Sequence, residues 1–193
     1  GHQMNVRDPY VYRTRDYGEN WEKITSGIPL GMLSYTKVIA EDPVRQGLLY
    51  LGTENAIYVS FNDGGNWLTL QNNLPHAPVH DVVVQEHFND LVVGTYGRGY
   101  YILDNIAPLR EFDVDALGEA AHLFSLRPAY RFQEQEAIKT DGPSLNSGRN
   151  PAYGADINYY LKDSTDQKVE VQILDTDDEI IRTLKGSSNA GVN

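Results

Sequence analysis

The sequence predicts an all-β fold assembled from repeats, on three observations. Val11-Tyr12-Arg13-Thr14-Arg15-Asp16-Tyr17-Gly18-Glu19-Asn20-Trp21, closing at Ile28-Pro29, aligns without a gap on Ile57-Tyr58-Val59-Ser60-Phe61-Asn62-Asp63-Gly64-Gly65-Asn66-Trp67, closing at Leu74-Pro75, 46 residues on (67 − 21 = 46). A fixed period of this length marks blades, arrays or solenoids. Short stretches rich in β-branched and aromatic residues recur between clusters of Gly, Pro, Asn and Asp, as strands and turns do. Helical periodicity is scarce.

The repeated unit reads as a β-hairpin, because apolar and polar residues alternate into Thr14 or Ser60, turn residues follow, and Trp21 or Trp67 opens the next strand. Gly18 and Gly64 can take the positive φ of a tight turn, and Asp16 and Asn62 can fold their side chains back onto turn amides. The hydroxyls of Thr14 and Ser60 can act in the same way, while the two tryptophans supply large apolar plates. These are structural tasks.

Further strands are expected near 38–40, 48–52, 56–60, 67–71, 82–85, 91–94 and 100–103. The best helical candidate is 113–121, with Asp113 as its N-cap and Ala, Leu and Glu behind it. From Arg127 to Pro151 the chain is rich in Gly, Ser, Asn and Pro, so 108–152 reads as a short helix and an extended linker between two domains, 1–107 and 153–193. Beyond it, 155–161, 168–175 and 179–184 alternate as strands of a sandwich, with Ile157, Tyr159 and Leu161 on one face and Val169, Val171 and Ile173 likewise.

Composition excludes some functions. Sixteen Lys and Arg against twenty-seven Asp and Glu leave a formal charge of −11, the opposite of the electrostatic footprint of nucleic-acid or anionic-lipid binding. No apolar run is long enough to span a bilayer as a helix, and without Cys there is neither a disulfide framework nor a thiolate site.

Four constellations carry residue types that could do chemistry. His76-Ala77-Pro78-Val79-His80 has the spacing of a zinc-binding helix, but Pro78 breaks the helix and the intervening Glu is absent, so these are read as loop histidines. Glu86-His87 beside Asp90 has the composition of an acid/base pair, yet it lies in a polar turn where such residues are expected. Tyr96-Gly97-Arg98-Gly99-Tyr100 lacks the helix that a phosphate loop requires; Arg98 is expected to project between aromatic rings, and Tyr96, Arg98 and Tyr100 are the candidate contacts for a ligand or surface. The acidic turn Asp175-Thr176-Asp177-Asp178-Glu179 lacks the glycine of a calcium loop and reads as a solvated hairpin turn. No catalytic residue, metal ligand or cofactor site is assigned.

Ser/Thr-x-Asp-x-Gly-x-x-Trp resembles the Asp-box of sialidases, sortilin-type receptors and other β-propellers. Thr14, Asp16, Gly18 and Trp21 match it fully, whereas Ser60, Gly64 and Trp67 match with Asn62 in place of the Asp. The stretches 41–54 and 89–104 resemble the last blades of large secreted bacterial proteins described as sortilin-like or BNR-repeat glycosyl hydrolases, and 150–162 is similar to the opening of the immunoglobulin-like domain that follows them, a domain like that of flagellar hook-capping proteins. The resemblance implies an incomplete Asp-box propeller followed by a partial immunoglobulin-like β-sandwich. Since propellers close with about four to eight blades, it also implies that the remaining blades belong to a longer chain or to another one. In such proteins the box lies at the blade periphery and marks fold, not reaction. The expected role is non-catalytic binding or assembly within a secreted, periplasmic or surface protein, with a protein or carbohydrate ligand. The alternatives are the wall of a sialidase-like glycoside hydrolase whose catalytic residues lie mostly elsewhere, and a structural subunit docking on a larger complex.

Overall fold

The computed structural model describes residues 5–112, 118–129 and 153–193. The chain divides into two compact units, Gly1–Phe112 and Asp113–Asn193. Both are built from antiparallel strands.

The first unit opens with a hairpin of β1 (Tyr12–Arg13) and β2 (Glu22–Lys23). Next comes a four-stranded sheet in the order β3 (Thr36–Glu41), β4 (Leu49–Thr53), β5 (Ile57–Ser60), β6 (Leu68–Thr69). The third sheet holds β7 (Val79–Gln85), β8 (Asp90–Thr95) and β9 (Gly99–Leu103). Every strand expected from the sequence in this unit is present.

The two central strands of the middle sheet are covered on both faces. In register, Tyr50 pairs with Val59 and Leu51 with Tyr58, so successive residues of β4 and β5 alternate between the faces. Tyr50, Ile57 and Val59 pack with Val79, Val82, Leu91 and Val93 of the third sheet. Leu49, Leu51 and Tyr58 pack with Val11, just before β1, and with Ile24 and Ile28, after β2. Burial on both sides explains why β4 and β5 read as continuous apolar runs instead of alternating ones.

The third sheet ends differently from the second. In place of a second turn and a fourth strand, α1 (Ala107–Glu111) begins with a proline in its first turn, where a missing N–H costs nothing. Arg45 Nη1 donates to the carbonyls of Leu109, Arg110 and Phe112 at 2.9, 3.1 and 2.7 Å, which satisfies acceptors that a helix end leaves open. Arg110 Nε lies 3.0 Å from both carboxylate oxygens of the buried Asp42. The sequence reading missed this helix because its anchors lie more than 60 residues away.

The second unit contains β10 (Ala121–Leu123), β11 (Tyr159–Leu161) and β14 (Gly191–Val192) in one sheet and β12 (Glu170–Leu174) with β13 (Ile180–Lys185) in another. β10 lies inside the stretch read as helix and linker. Its Ala-rich approach favours helix locally, but pairing of Ala121, His122 and Leu123 with Leu161, Tyr160 and Tyr159 puts it in a ladder. The rest of the helix expected at 113–121, as far as residue 117, and the linker beyond residue 129 fall outside the described residues. Val171 faces Leu184 across β12 and β13, and both are half-buried, whereas Ile173 is exposed.

Candidate functional site

The two repeated turns close through the same hydrogen-bond circuit. In the first, Thr14 Oγ1 lies 2.8 Å from Asp16 Oδ1 and accepts from Gly18 N at 2.8 Å, while Asp16 Oδ1 accepts from Asn20 N at 2.9 Å. In the second, Ser60 Oγ lies 3.0 Å from Asn62 Oδ1 and accepts from Gly64 N at 2.9 Å, while Asn62 Oδ1 accepts from Asn66 N at 2.9 Å. Tyr17 and Asp63 both adopt a positive φ, at 58° and 57°, each followed by a left-handed glycine. The Asn therefore performs the Asp's structural task.

The charge differs. Hydrogen bonds from the Asn20 backbone, the Asn20 side chain and Thr14 lower the Asp16 carboxyl from its usual 3.8 to about 2. Asn62 has no proton to gain.

The tryptophans part company. Trp67 is 1 % exposed, donates from Nε1 to Ile24 O at 2.8 Å, and donates from its backbone N–H to Ser26 O, also at 2.8 Å. Its cover is the segment after β2. A Cβ on Gly27 would stand 2.3 Å from Trp67 O, and one on Gly64 would stand 2.4 Å from Ile24 Cδ1, so both glycines permit the close approach. Arg13 and Arg15 complete the joint by ion-pairing with Asp63 Oδ2, each at 2.7 Å.

Among the described residues Trp21 has no such cover. It is 61 % exposed, and its Nε1 donates to Gly18 O within its own turn at 3.0 Å. Tyr12 and Tyr17, which stand where the second repeat has Tyr58 and Asp63, are 48 % and 106 % exposed, against 6 % for Tyr58. Sequence reasoning singled out Trp21 but not Tyr12 or Tyr17, although the 46-residue alignment places all three.

A polar cluster lies where β3 and β7 begin and β4 and β8 end. Lys37 Nζ sits 2.9 Å from Glu54 Oε2 and 3.1 Å from His80 Nε2. An ammonium only donates, so His80 Nε2 is the acceptor there. The His80 ring stacks on Tyr96 with centroids 5.5 Å apart. Burial pushes the Glu54 carboxyl up, but the Tyr35 hydroxyl and Lys37 together outweigh it, and the net shift is downward. A carboxylate held ionised in this way is no general acid at neutral pH.

Apart from Tyr96, Arg98 and Tyr100, which share one hairpin end, the other sequence candidates disperse. Tyr96, on the turn between β8 and β9, and Tyr100, in β9 opposite Gly94, are 71 % and 83 % exposed. Arg98 is exposed at the same turn, between the left-handed Gly97 and Gly99, and among the described residues its guanidinium lies over no ring, contrary to the expectation that it would project between aromatic rings. The turn carries it outward. His76 contacts Asn55, and Asp90 Oδ1 accepts from Asn105 N at 3.0 Å. Asp175 Oδ1 accepts from the amides of Asp177 and Glu179 at 2.9 Å each, which is the bonding of a hairpin turn. Among the described residues no three His, Asp or Glu side chains group to hold a metal ion, and no helix is long and apolar enough to cross a membrane.

No family model, curated protein or solved structure matches this chain. Its own repeat is therefore the closest guide to what its exposed surfaces meet.

Proposed function

We propose that the chain is a non-catalytic binding or assembly segment of a larger Asp-box β-propeller protein, secreted or carried on a surface, with a partial immunoglobulin-like module after the blades. One observation carries this reading. The first hairpin pairs Tyr12 with Lys23 and Arg13 with Glu22, and the second repeat pairs Tyr58 with Thr69 and Val59 with Leu68, which is the same register shifted by the repeat length. In the second repeat the other edge of β5 is taken by β4, whereas among the described residues the other edge of β1 is bare. An unpaired edge beside exposed aromatics is a surface that calls for pairing. The exposed Tyr96, Arg98 and Tyr100 then form a contact surface for a protein or carbohydrate ligand, since each ring offers a flat apolar face with a hydroxyl.

Peptide mapping and intact mass of the protein from its source test this. The expected result is sequence outside residues 1–193 that carries further Ser/Thr-x-Asp-x-Gly-x-x-Trp turns. A mass equal to this chain together with glycoside turnover would overturn it.

A further inference from the structure

The molecule itself displays what covers a repeat's tryptophan. Trp67 is closed over by Ile24-Thr25-Ser26-Gly27-Ile28, whose carbonyls at Ile24 and Ser26 take its two N–H groups. Tyr58 is buried in the same cluster, with Val11, Ile24 and Ile28. In chain order this covering segment is followed by β3 and β4, and β4 pairs with the edge of β5 that the second hairpin presents. One continuous stretch, residues 22–53, thus contributes both devices: a cap for the tryptophan and two strands for the sheet.

Trp21, Tyr12 and the bare edge of β1 present the same three features one repeat earlier. The local geometry is also alike. Val11 O accepts from Ile24 N as Ile57 O accepts from Leu70 N, at 2.9 and 3.0 Å. Over Gly64 the space is filled by Ile24, but over Gly18 the nearest atom to an added Cβ is Cζ2 of Trp21 itself, 3.8 Å away. The place for a branched side chain above Gly18 is open.

Resting on the assembly reading above, we infer that the Tyr12–Trp21 face and the β1 edge together receive one occupant, a further repeat segment of the residue 22–53 type. Its apolar-x-Ser-Gly-apolar turn caps Trp21, and its second strand pairs antiparallel with β1. The glycine of that turn is required, because a side chain at Gly27 would collide with the Trp67 backbone. The indole of Trp21 exchanges its bond to Gly18 O for one to the occupant's carbonyl, as Trp67 bonds Ile24 O. Tyr17 stands where Asp63 receives Arg13 and Arg15, so this joint lacks the carboxylate of the next one.

The test adds the missing segment in register. A copy of residues 22–50 replaces residues 1–4 of the full chain, so that the copy runs into Asn5 as residue 50 runs into Leu51. The two indole N–H signals are followed by nitrogen-15 NMR with solvent exchange. The expected result is slowing of Trp21 indole exchange by at least about tenfold, toward that of Trp67, and loss of that slowing when the glycine copied from Gly27 becomes Val. If the extended chain does not fold, as a lost Trp67 signal would reveal, the peptide of residues 22–50 is titrated into the unaltered chain. A saturable shift of the Trp21 signal alone supports the inference. Trp21 exchange unchanged in the folded extended chain, or no shift with the peptide, overturns it. A source protein with further repeats but an uncovered Trp21 contradicts this docking and spares the assembly reading. A covered Trp21 in the extended chain with no further repeats in the source protein does the reverse.

Discussion

Trp21 and Trp67 occupy the same place in the same motif, and only their surroundings separate them. Deleting the buried indole leaves a cavity and an unpaired Ile24 carbonyl, so Trp67→Ala is expected to destabilise the first unit by about 3–5 kcal/mol, whereas Trp21→Ala should change it by no more than about 0.5 kcal/mol. Urea unfolding followed by circular dichroism checks both. The capping residues separate in acid. The folded-state pKa of Asp16 lies below its ordinary value, so its stabilising contribution is complete above pH 3.8 and is lost as pH falls toward about 2. Amide exchange at Asn20 should therefore quicken between pH 4 and 2, relative to Asn66, whose acceptor Asn62 does not titrate. Asp16→Asn should remove the difference between the two turns. The turns were legible in the sequence because every bond in the circuit lies within a few residues. The contrast between the tryptophans was not, because what covers Trp67 comes from 43 residues away.

At the scale of elements, close approach between sheets is set at Gly52. A Cβ there would lie 2.5 Å from Val79 Cγ1 of β7 and 2.8 Å from Val38 Cγ1 of the paired strand β3. Gly52→Val is expected to overpack this contact and cost about 1–3 kcal/mol, read as a lower melting temperature with the β12–β13 hairpin of the other unit unaffected. The helix at 107–111 depends in the same way on a distant arginine. Arg45→Met should free the carbonyls of Leu109, Arg110 and Phe112 and expose α1 to rapid amide exchange, while β4 and β5 stay protected. The longer strands of the first unit could be read from the sequence because they are short stretches rich in β-branched and aromatic residues between clusters of Gly, Pro, Asn and Asp. β10 and α1 could not, since a partner strand decides one and a side-chain clamp the other. The polar cluster of Lys37, Glu54, His80 and Tyr96 was equally hidden, its members being drawn from four strand ends.

At the scale of the molecule, the first unit packs the residues flanking its hairpin and a three-stranded sheet against a four-stranded sheet whose central strands, β4 and β5, are buried on both faces. The outer hairpin repeats the register of β5–β6 but, among the described residues, carries neither the strands nor the cap that complete them. The composition, with a formal charge of −11, gave no hint of this surface, because the residues that make it are aromatic and uncharged. The decisive measurement is the structure of the source protein by electron cryo-microscopy. The assembly reading predicts that β1 pairs antiparallel with a strand on the edge away from β2, giving a four-stranded sheet in the order of the second one, with the Trp21 indole buried against a neighbouring repeat. A β1–β2 hairpin left two-stranded, with Trp21 in solvent, would contradict it.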